Sequence, residues 1–344
     1  MRDVQVMMLA AGLGTRLWPL TARRGKPAVP WLGQSFVRGL LDWLKAHGAT
    51  DVVVNTHHRP ESIRAALSSP PADMSVRFSH EPTILGTAGA LGHALAQGLL
   101  DPDRTTLVVN AKLVTDLDLT AALRTHQTQS ALVTMVLRSN IRREAFTTVR
   151  VENQRVSGFG PSRVPEGPRP LLFTGLHFLE PEILRRAEAR LSDTVRDLYP
   201  SAIAAGRVAA HVDDDGRWLE ASTLARYLEL HIAEARAGHP LPDDVQVEEA
   251  ATVDASVLGR GVVIEGGATV SESVLLDGCR VGAGARLHGV VVAEGVSIPA
   301  QLELQGVVVV PQDLAIPLPA ENAPPVTLEG ALALARIEGR VSSS

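Results

Sequence analysis

Two glycines and two cations stand close together near the N-terminus. The run is Leu9-Ala10-Ala11-Gly12-Leu13-Gly14-Thr15-Arg16-Leu17-Trp18-Pro19-Leu20-Thr21, followed by Gly25-Lys26-Pro27. It comes directly after an apolar, strand-like stretch, Val4–Leu9. Glycines let backbone N–H groups approach an anion closely, and Arg16 and Lys26 supply positive charge, so the chemistry indicated is phosphate binding. No Gly-Lys-Ser/Thr follows at Walker A spacing, and Leu17 stands where a dinucleotide fingerprint needs a third small residue. Taken alone, a Gly-x-Gly after a strand is equally the mark of a tight structural turn.

Other groups with potential chemistry have plainer readings. His57-His58 has no third ligand at metal-site spacing and reads as a strand-end pair near solvent. Asp213-Asp214-Asp215-Gly216 starts like a calcium loop but lacks the rest and reads as a polar turn. Asp116 and Asp118 precede a helical segment from Thr120, where a carboxylate at a helix start is the structural expectation. Cys279 is the single cysteine, so no intrachain disulfide and no cysteine zinc cluster can form, which fits a reducing compartment. A net charge of −5 argues against a nucleic-acid backbone binder. No apolar run reaches the roughly 18–20 residues that span a bilayer, and no signal-peptide pattern opens the chain. The expectation is a cytoplasmic protein with no nucleic-acid or membrane partner.

The elements that must position these residues fall into two kinds. Over the first 235 or so residues, apolar runs (Val4–Leu9, Asp51–Thr56, Ser75–Ser79, Thr106–Val109, Ala131–Leu137) alternate with helix-period segments (Phe36–His47, Pro60–Leu67, Thr87–Leu99, Thr120–Gln127). That alternation predicts an α/β, Rossmann-like domain with a mostly parallel sheet. Thr147–Phe159 reads as a hairpin, and a last helix covers about Leu224–Ala237. From Ile264, aliphatic residues recur at six (Ile264, Val270, Leu276), slip by one at Asp277-Gly278, and resume at Val281, Leu287, Ile298, Leu304 and Val310. Small residues fill the intervals, the mark of a short left-handed parallel β-helix of about four coils. The expected division is 1–237 for the first domain, 238–252 for a linker, 253–312 for the β-helix and 313–344 for a loose Pro-rich tail. Such coils have open ends and edges, which favours a homo-oligomer through the β-helix. Acyltransferases also use six-residue coils, but His288 is the only histidine within these.

The glycine run as a whole resembles the opening motif of the sugar-phosphate nucleotidyltransferases, the NDP-sugar pyrophosphorylases. Four later stretches continue the resemblance: Glu81–Ala90, Val108-Val109-Asn110, Phe173–His177 and Gly216–Thr223. The first domain is most similar to the mannose-1-phosphate guanylyltransferase and muramate-1-phosphate uridylyltransferase branch, in a family where an appended β-helix also occurs. The resemblance implies transfer of a nucleotidyl group from a nucleoside triphosphate to a sugar-1-phosphate, with Mg²⁺ held between two aspartates. It implies Leu9, Ala11, Gly12, Gly14, Thr15, Arg16, Gly86, Thr87 and Asn110 around the nucleotide, Lys26 neutralising phosphate, and Thr174 and Gly175 at the sugar.

The chain departs from the family pattern on the metal side. Ala111-Lys112 replaces the glycine-aspartate after Asn110, and Glu220 stands at the second aspartate. Gly25 precedes Lys26 where the family has proline, and Gly158-Phe159-Gly160-Pro161 lacks the family's sugar-phosphate lysine. A protonated lysine has no lone pair for a cation. Two readings of Lys112 stand open. In one, its ammonium paired with Glu220 partly replaces Mg²⁺. In the other, catalysis is lost and the chain binds a sugar nucleotide in a regulatory or structural role. Glu220 and Asp116 are weak metal candidates, and Mg²⁺ is expected chiefly as a companion of the triphosphate.

Overall fold

The computed structural model describes the chain except residues 2, 143, 162–168, 315–324 and 339–344. The described residues form two compact units: Met1–Gly12 with Val37–Leu219, and Leu13–Phe36 with the residues from Glu220 on.

The first unit is built on one sheet. Its strands are β1 (Gln5–Leu9), β2 (Asp51–Thr56), β3 (Ser75–His80), β4 (Thr106–Asn110), β5 (Val133–Ser139), β6 (Thr148–Glu152), β7 (Arg155–Phe159), β8 (Leu171–Leu179) and β9 (Val208–Val212). They lie in the order β3-β2-β1-β4-β8-β5-β9-β7-β6. β3, β2, β1 and β4 run parallel, as does β9 with β5, while β8 is antiparallel to β4 and β5. Helices α1 (Phe36–Ala46), α2 (Pro60–Ala66), α3 (Gly86–Ala96) and α4 (Leu119–Thr128) connect the first strands. Val6, Met7, Met8, Val52, Val53 and Val54 are almost wholly buried, as near-continuous apolar strands of a two-face-covered parallel sheet require. The hairpin expected at Thr147–Phe159 is β6–β7, with a bulge between Val156 and Gly158.

The second unit joins a short segment to the coils. Leu13–Phe36 carries two single-turn helices, Thr15–Leu17 and Lys26–Ala28, and a ribbon of Pro30–Trp31 with Gln34–Ser35. Helix α5 (Leu224–Arg236) packs Tyr227 and His231 against Trp31 and Phe36. These four rings form one cluster in a chain with few aromatics. The coils themselves stack three parallel sheets. Val263 pairs with Arg280 and Arg280 with Ser297, an offset of 17, and the other two faces keep the same offset. A repeat of six on all faces would give eighteen, so the slip at Asp277-Gly278 recurs on one face of every coil. One corner column, Ala255, Glu272, Gly289 and Gly306, is left-handed at every level, with φ between 43° and 65°. Only two of those four are glycines, so corner geometry rather than composition sets the turn. The first coil strand is Gln246–Val247, inside the stretch read as linker. The chain after Gln312 is not loose throughout: Val326–Glu329 and Leu332–Arg336 form a hairpin that pairs antiparallel with Val307–Pro311. Leu332–Ala335 are buried on both faces of this strand, which covers the edge of the last coil.

Candidate functional site

Strand order reverses between β1 and β4. The chain moves outward from β1 through β2 and β3, then returns to β1's other side as β4. In open α/β sheets, the crevice outside the carboxyl ends of the strands at such a point is where ligands bind. The two ends here are Leu9 and Asn110, paired in register, and the Ala111 N–H closes on the Leu9 carbonyl at 3.0 Å. Ala10-Ala11-Gly12 leave β1 at this edge, and Ala111-Lys112 leave β4. Ala11 is buried while Gly12 is exposed, and a Cβ on Gly12 would meet no atom within 4 Å. The Gly12 backbone is therefore open to close approach.

A buried polar chain fixes this edge. The Ala10 N–H donates to Asn55 Oδ1 (2.6 Å), Asn55 Nδ2 donates to Glu81 Oε1 (2.6 Å), and Glu81 Oε2 accepts the Leu85 N–H (3.0 Å). Asn55 and Glu81 are 3% and 1% exposed, so these bonds replace water that both groups have lost. The chain ties the exit of β1 to the entry of α3. Glu81 opens a stretch picked out by resemblance, whereas nothing in the sequence marks Asn55, which closes an apolar run.

At the start of α3, Gly86 has φ +74°, and a Cβ there would lie 2.4 Å from the Ser192 carbonyl oxygen. That carbonyl accepts the Ala88 N–H at 3.1 Å. Thr87 Oγ1 accepts the Thr194 N–H (2.8 Å) and donates to Asp193 Oδ2 (3.1 Å). Both residues are thus engaged by the Ser192–Thr194 segment. Gly175, φ +84°, sits in the bulge where β8 leaves register with β5, and a Cβ there would lie 2.3 Å from Asn110 Nδ2. The fold so brings Gly175, Asn110 and Leu9 to one edge. Thr174 is buried: its Oγ1 donates to the Val136 carbonyl (2.7 Å), and its own carbonyl accepts from Trp218 Nε1 (2.9 Å). Three residues further, His177 is enclosed between Phe173 and Tyr199, and burial lowers its pKa to about 3, so the imidazole is neutral.

Lys112 stands in the turn after β4, half-buried. Asp116 accepts the Arg217 N–H, and the Asp116 N–H returns a bond to the Arg217 carbonyl at 3.1 Å. Asp118 caps α4 by accepting from Thr120 N–H (2.8 Å) and Ala121 N–H (3.0 Å). The Ala121 N–H is the main cause that holds its carboxyl below the usual range. Asp118 is thus the helix-start carboxylate its position suggested. Asp213 Oδ1 accepts from the Asp215 and Gly216 N–H groups, a polar turn as expected. His57 Nδ1 lies 2.8 Å from the Glu81 carbonyl, which only accepts, so His57 is a donor to backbone. Among the described residues, no three His, Cys, Asp or Glu side chains gather to hold a metal.

In the second unit, Gly14 is left-handed (φ +70°), and a Cβ there would lie 2.9 Å from Lys26 Cβ and 3.0 Å from Thr21 Cγ2. Thr21 Oγ1 donates to the Gly14 carbonyl at 3.0 Å. Gly14 and Lys26 are therefore packed together, Lys26 is 9% exposed, and Arg16 is exposed. Thr15 opens the first helical turn, and Glu220 ends the strand Trp218–Glu220.

Comparison with known proteins agrees with this arrangement. Residues 243–307 match a GlmU-like C-terminal hexapeptide family. A UTP–glucose-1-phosphate uridylyltransferase of Synechocystis sp. is 27% identical over 242 residues, 65% of this chain and 61% of that protein. A mannose-1-phosphate guanyltransferase of Aspergillus fumigatus is 27% identical over 227 residues, 63% of this chain and 60% of that protein. A mannose-1-phosphate guanylyltransferase of Mycobacterium tuberculosis is 29% identical over 216 residues, 61% of this chain and 59% of that protein. The chain thus spans about three fifths of the length of the curated relatives it matches. A match to the nucleotidyl transferase family model runs over residues 5–236, from the first strand of the sheet to the end of α5, and the chain belongs to that family.

Proposed function

We propose that this chain transfers a nucleotidyl group from a nucleoside triphosphate to a sugar-1-phosphate, giving an NDP-sugar and pyrophosphate. The observation that carries the reading is the exit of Ala10-Ala11-Gly12 from β1 at the point where strand order reverses, with Lys112 leaving the adjacent strand. A phosphate oxygen of the sugar-1-phosphate attacks the α-phosphorus in line. The bond from that phosphorus to the bridging oxygen of the β-phosphate breaks, and the electron pair leaves with pyrophosphate. Two anions must meet, so positive charge and orientation carry most of the catalysis. In this reading Gly12, Gly14, Thr15 and Arg16 hold the triphosphate, Lys26 offsets its charge, Asn110 lies by the nucleotide, and Gly175 borders the sugar.

We read the positions of the family's aspartates, among the described residues, as a weak divalent-cation site. Lys112 has no lone pair, Asp116 and Asp118 are committed to backbone N–H groups, and Glu220 is one carboxylate. Lys112 therefore acts as a fixed positive charge that reduces repulsion between the two anions without templating both oxygens. The same observation favours a second reading, a protein that binds a sugar nucleotide without turning it over. Pyrophosphate release measured with GTP plus mannose-1-phosphate and UTP plus glucose-1-phosphate, beside thermal shift with each nucleotide, decides between them. Release above the uncatalysed rate supports transfer. A thermal shift with no release in either pair removes transfer and leaves binding. The coils, which we take to wind left-handedly, are assigned to self-association.

A further inference from the structure

The segment that carries Gly14, Arg16 and Lys26 is held by residues more than 190 positions later in the chain, all within the second unit. On one side of Lys26, the Arg24 guanidinium donates to both carboxylate oxygens of Glu294, the second bond being 2.8 Å. Arg23 pairs with Asp313 beside it. On the other side, Tyr227 Oη donates to the Pro30 carbonyl at 2.7 Å. The Arg24–Glu294 pair is three-quarters shielded from water on the arginine side and about two-thirds on the glutamate side. A two-point, partly buried Arg–carboxylate bond fixes direction as well as distance, unlike an exposed pair.

The turn that carries Glu294 is tied to the coil before it. Glu294 stands in the turn after the coil strand Val291–Val292. The buried Cys279 thiol of the coil below donates to the neighbouring Ala293 carbonyl at 3.0 Å. Burial pushes that thiol up to about 12, so it stays protonated and able to donate. A contiguous path follows: Cys279 to the Ala293-Glu294 turn, Glu294 to Arg24, the chain to Lys26, and Lys26 Cβ against the Cβ-less face of Gly14.

We propose that Glu294 is a positioning residue for the phosphate loop, so that the coils set where Lys26 and Gly14 stand rather than serving assembly alone. The proposal rests on the reading of this loop as the triphosphate cradle. Its test uses the full chain and two readouts, one of which needs no ligand. Hydrogen–deuterium exchange over Thr15–Val29 is compared between the natural protein and Glu294→Gln, with Glu303→Gln as control. Glu303 pairs with Arg286 on the exposed coil surface. The expected result is about tenfold faster exchange of the Leu17, Trp18, Ala28 and Val29 amides in Glu294→Gln, with coil amides and Glu303→Gln unchanged. Affinity for GTP or UTP, whichever binds the natural protein more tightly, is expected to weaken on the order of tenfold. The charge-reversed pair Arg24→Glu with Glu294→Arg is expected to recover most of both losses. Unchanged exchange in Glu294→Gln overturns the proposal, as does faster exchange with unaltered nucleotide affinity. Failure of the natural protein to bind either nucleotide overturns the cradle reading instead, and the exchange comparison then still decides whether Glu294 positions the loop.

Discussion

Gly14 is required twice over, by its left-handed backbone and by the 2.9 Å that a Cβ would leave to Lys26. Gly14→Val is therefore expected to displace Lys26 and weaken nucleotide binding at least tenfold. Arg16→Ala removes an exposed cation and loses about 1.5–3 kcal/mol if a charged phosphate bond is lost. Calorimetry on folded variants checks both, and unchanged affinity in either removes that residue from the cradle. Lys112 poses the sharpest question at this scale. Lys112→Asp with Glu220→Asp is expected to raise Mg²⁺-dependent turnover above a slow natural rate, measured at saturating nucleotide. A fast natural enzyme that Lys112→Ala abolishes, and that the double change does not improve, would instead establish the ammonium as an active electrostatic group. His177 gives a prediction that needs no substrate. Its pKa is about 3 when folded against an ordinary value of 6.5, because burial disfavours the charged ring. Between those values the unfolded chain binds a proton that the folded one does not, so stability is full above the unfolded value and falls as pH drops. His231, lowered to about 4 by burial, acts in the same direction. His177→Phe keeps the ring stack and is expected to flatten the pH dependence of unfolding between about pH 4.5 and 6 by roughly 1.4 kcal/mol per pH unit. Urea melts across that range provide the measurement.

Helix α3 shows how an element can be shaped by what lies against it. Gly86, Gly89 and Gly92 recur at three, and a Cβ on the last two would lie 2.2 Å from backbone atoms of Arg190 and Glu188. Helix propensity alone favours alanine at such interior positions by about 1 kcal/mol. Overpacking against a backbone that cannot rotate away costs about 1–3 kcal/mol, so the clash wins. Gly89→Ala is expected to destabilise the chain by up to about 2 kcal/mol in denaturant melts; a stabilised variant would mean the facing segment yields. Elements of this kind also show what the sequence reveals. β1 to β4, the helices between them and the β6–β7 hairpin follow from period and turn residues, which are local. The six-residue period and its slip were legible too, although only strand registry shows that the slip belongs to every coil. Asn55 and Glu81 were not legible as a pair, because their bond joins strand ends that are 26 residues apart and leaves no pattern. Thr87 and Thr174 match by motif, yet their hydroxyls are spent on Thr194, Asp193 and Val136, which only packed neighbours disclose. The hairpin after Gln312 was hidden for a similar reason: a short Ala/Leu run becomes a strand because an open coil edge awaits it.

At the scale of the whole molecule, the two family matches meet after α5, while packing draws a different grouping. Leu13–Phe36 groups with the chain from Glu220 on. Truncation after Ala237 is expected to leave the nine-stranded sheet folded while Thr15–Val29 loses Glu294 and Asp313. Limited proteolysis should then cut within that segment, and light scattering should report a smaller assembly if the coils mediate self-association. An intact segment in the truncated protein would show that the first 36 residues need no coil. The same grouping has a bearing on how the chain is made. Gly14 and Lys26 leave the ribosome roughly ten seconds or more of synthesis before Tyr227, Glu294 and Asp313. The sheet can assemble on the nascent chain from neighbours already outside the tunnel. On the proposal that Glu294 positions it, the loop is seated only when nearly all of the coils have been translated. If this loop is the triphosphate cradle and Glu294 positions it, a chain that stops before the coils carries a formed sheet and an unseated loop. On that reading, synthesis of the coils works as a check on the loop.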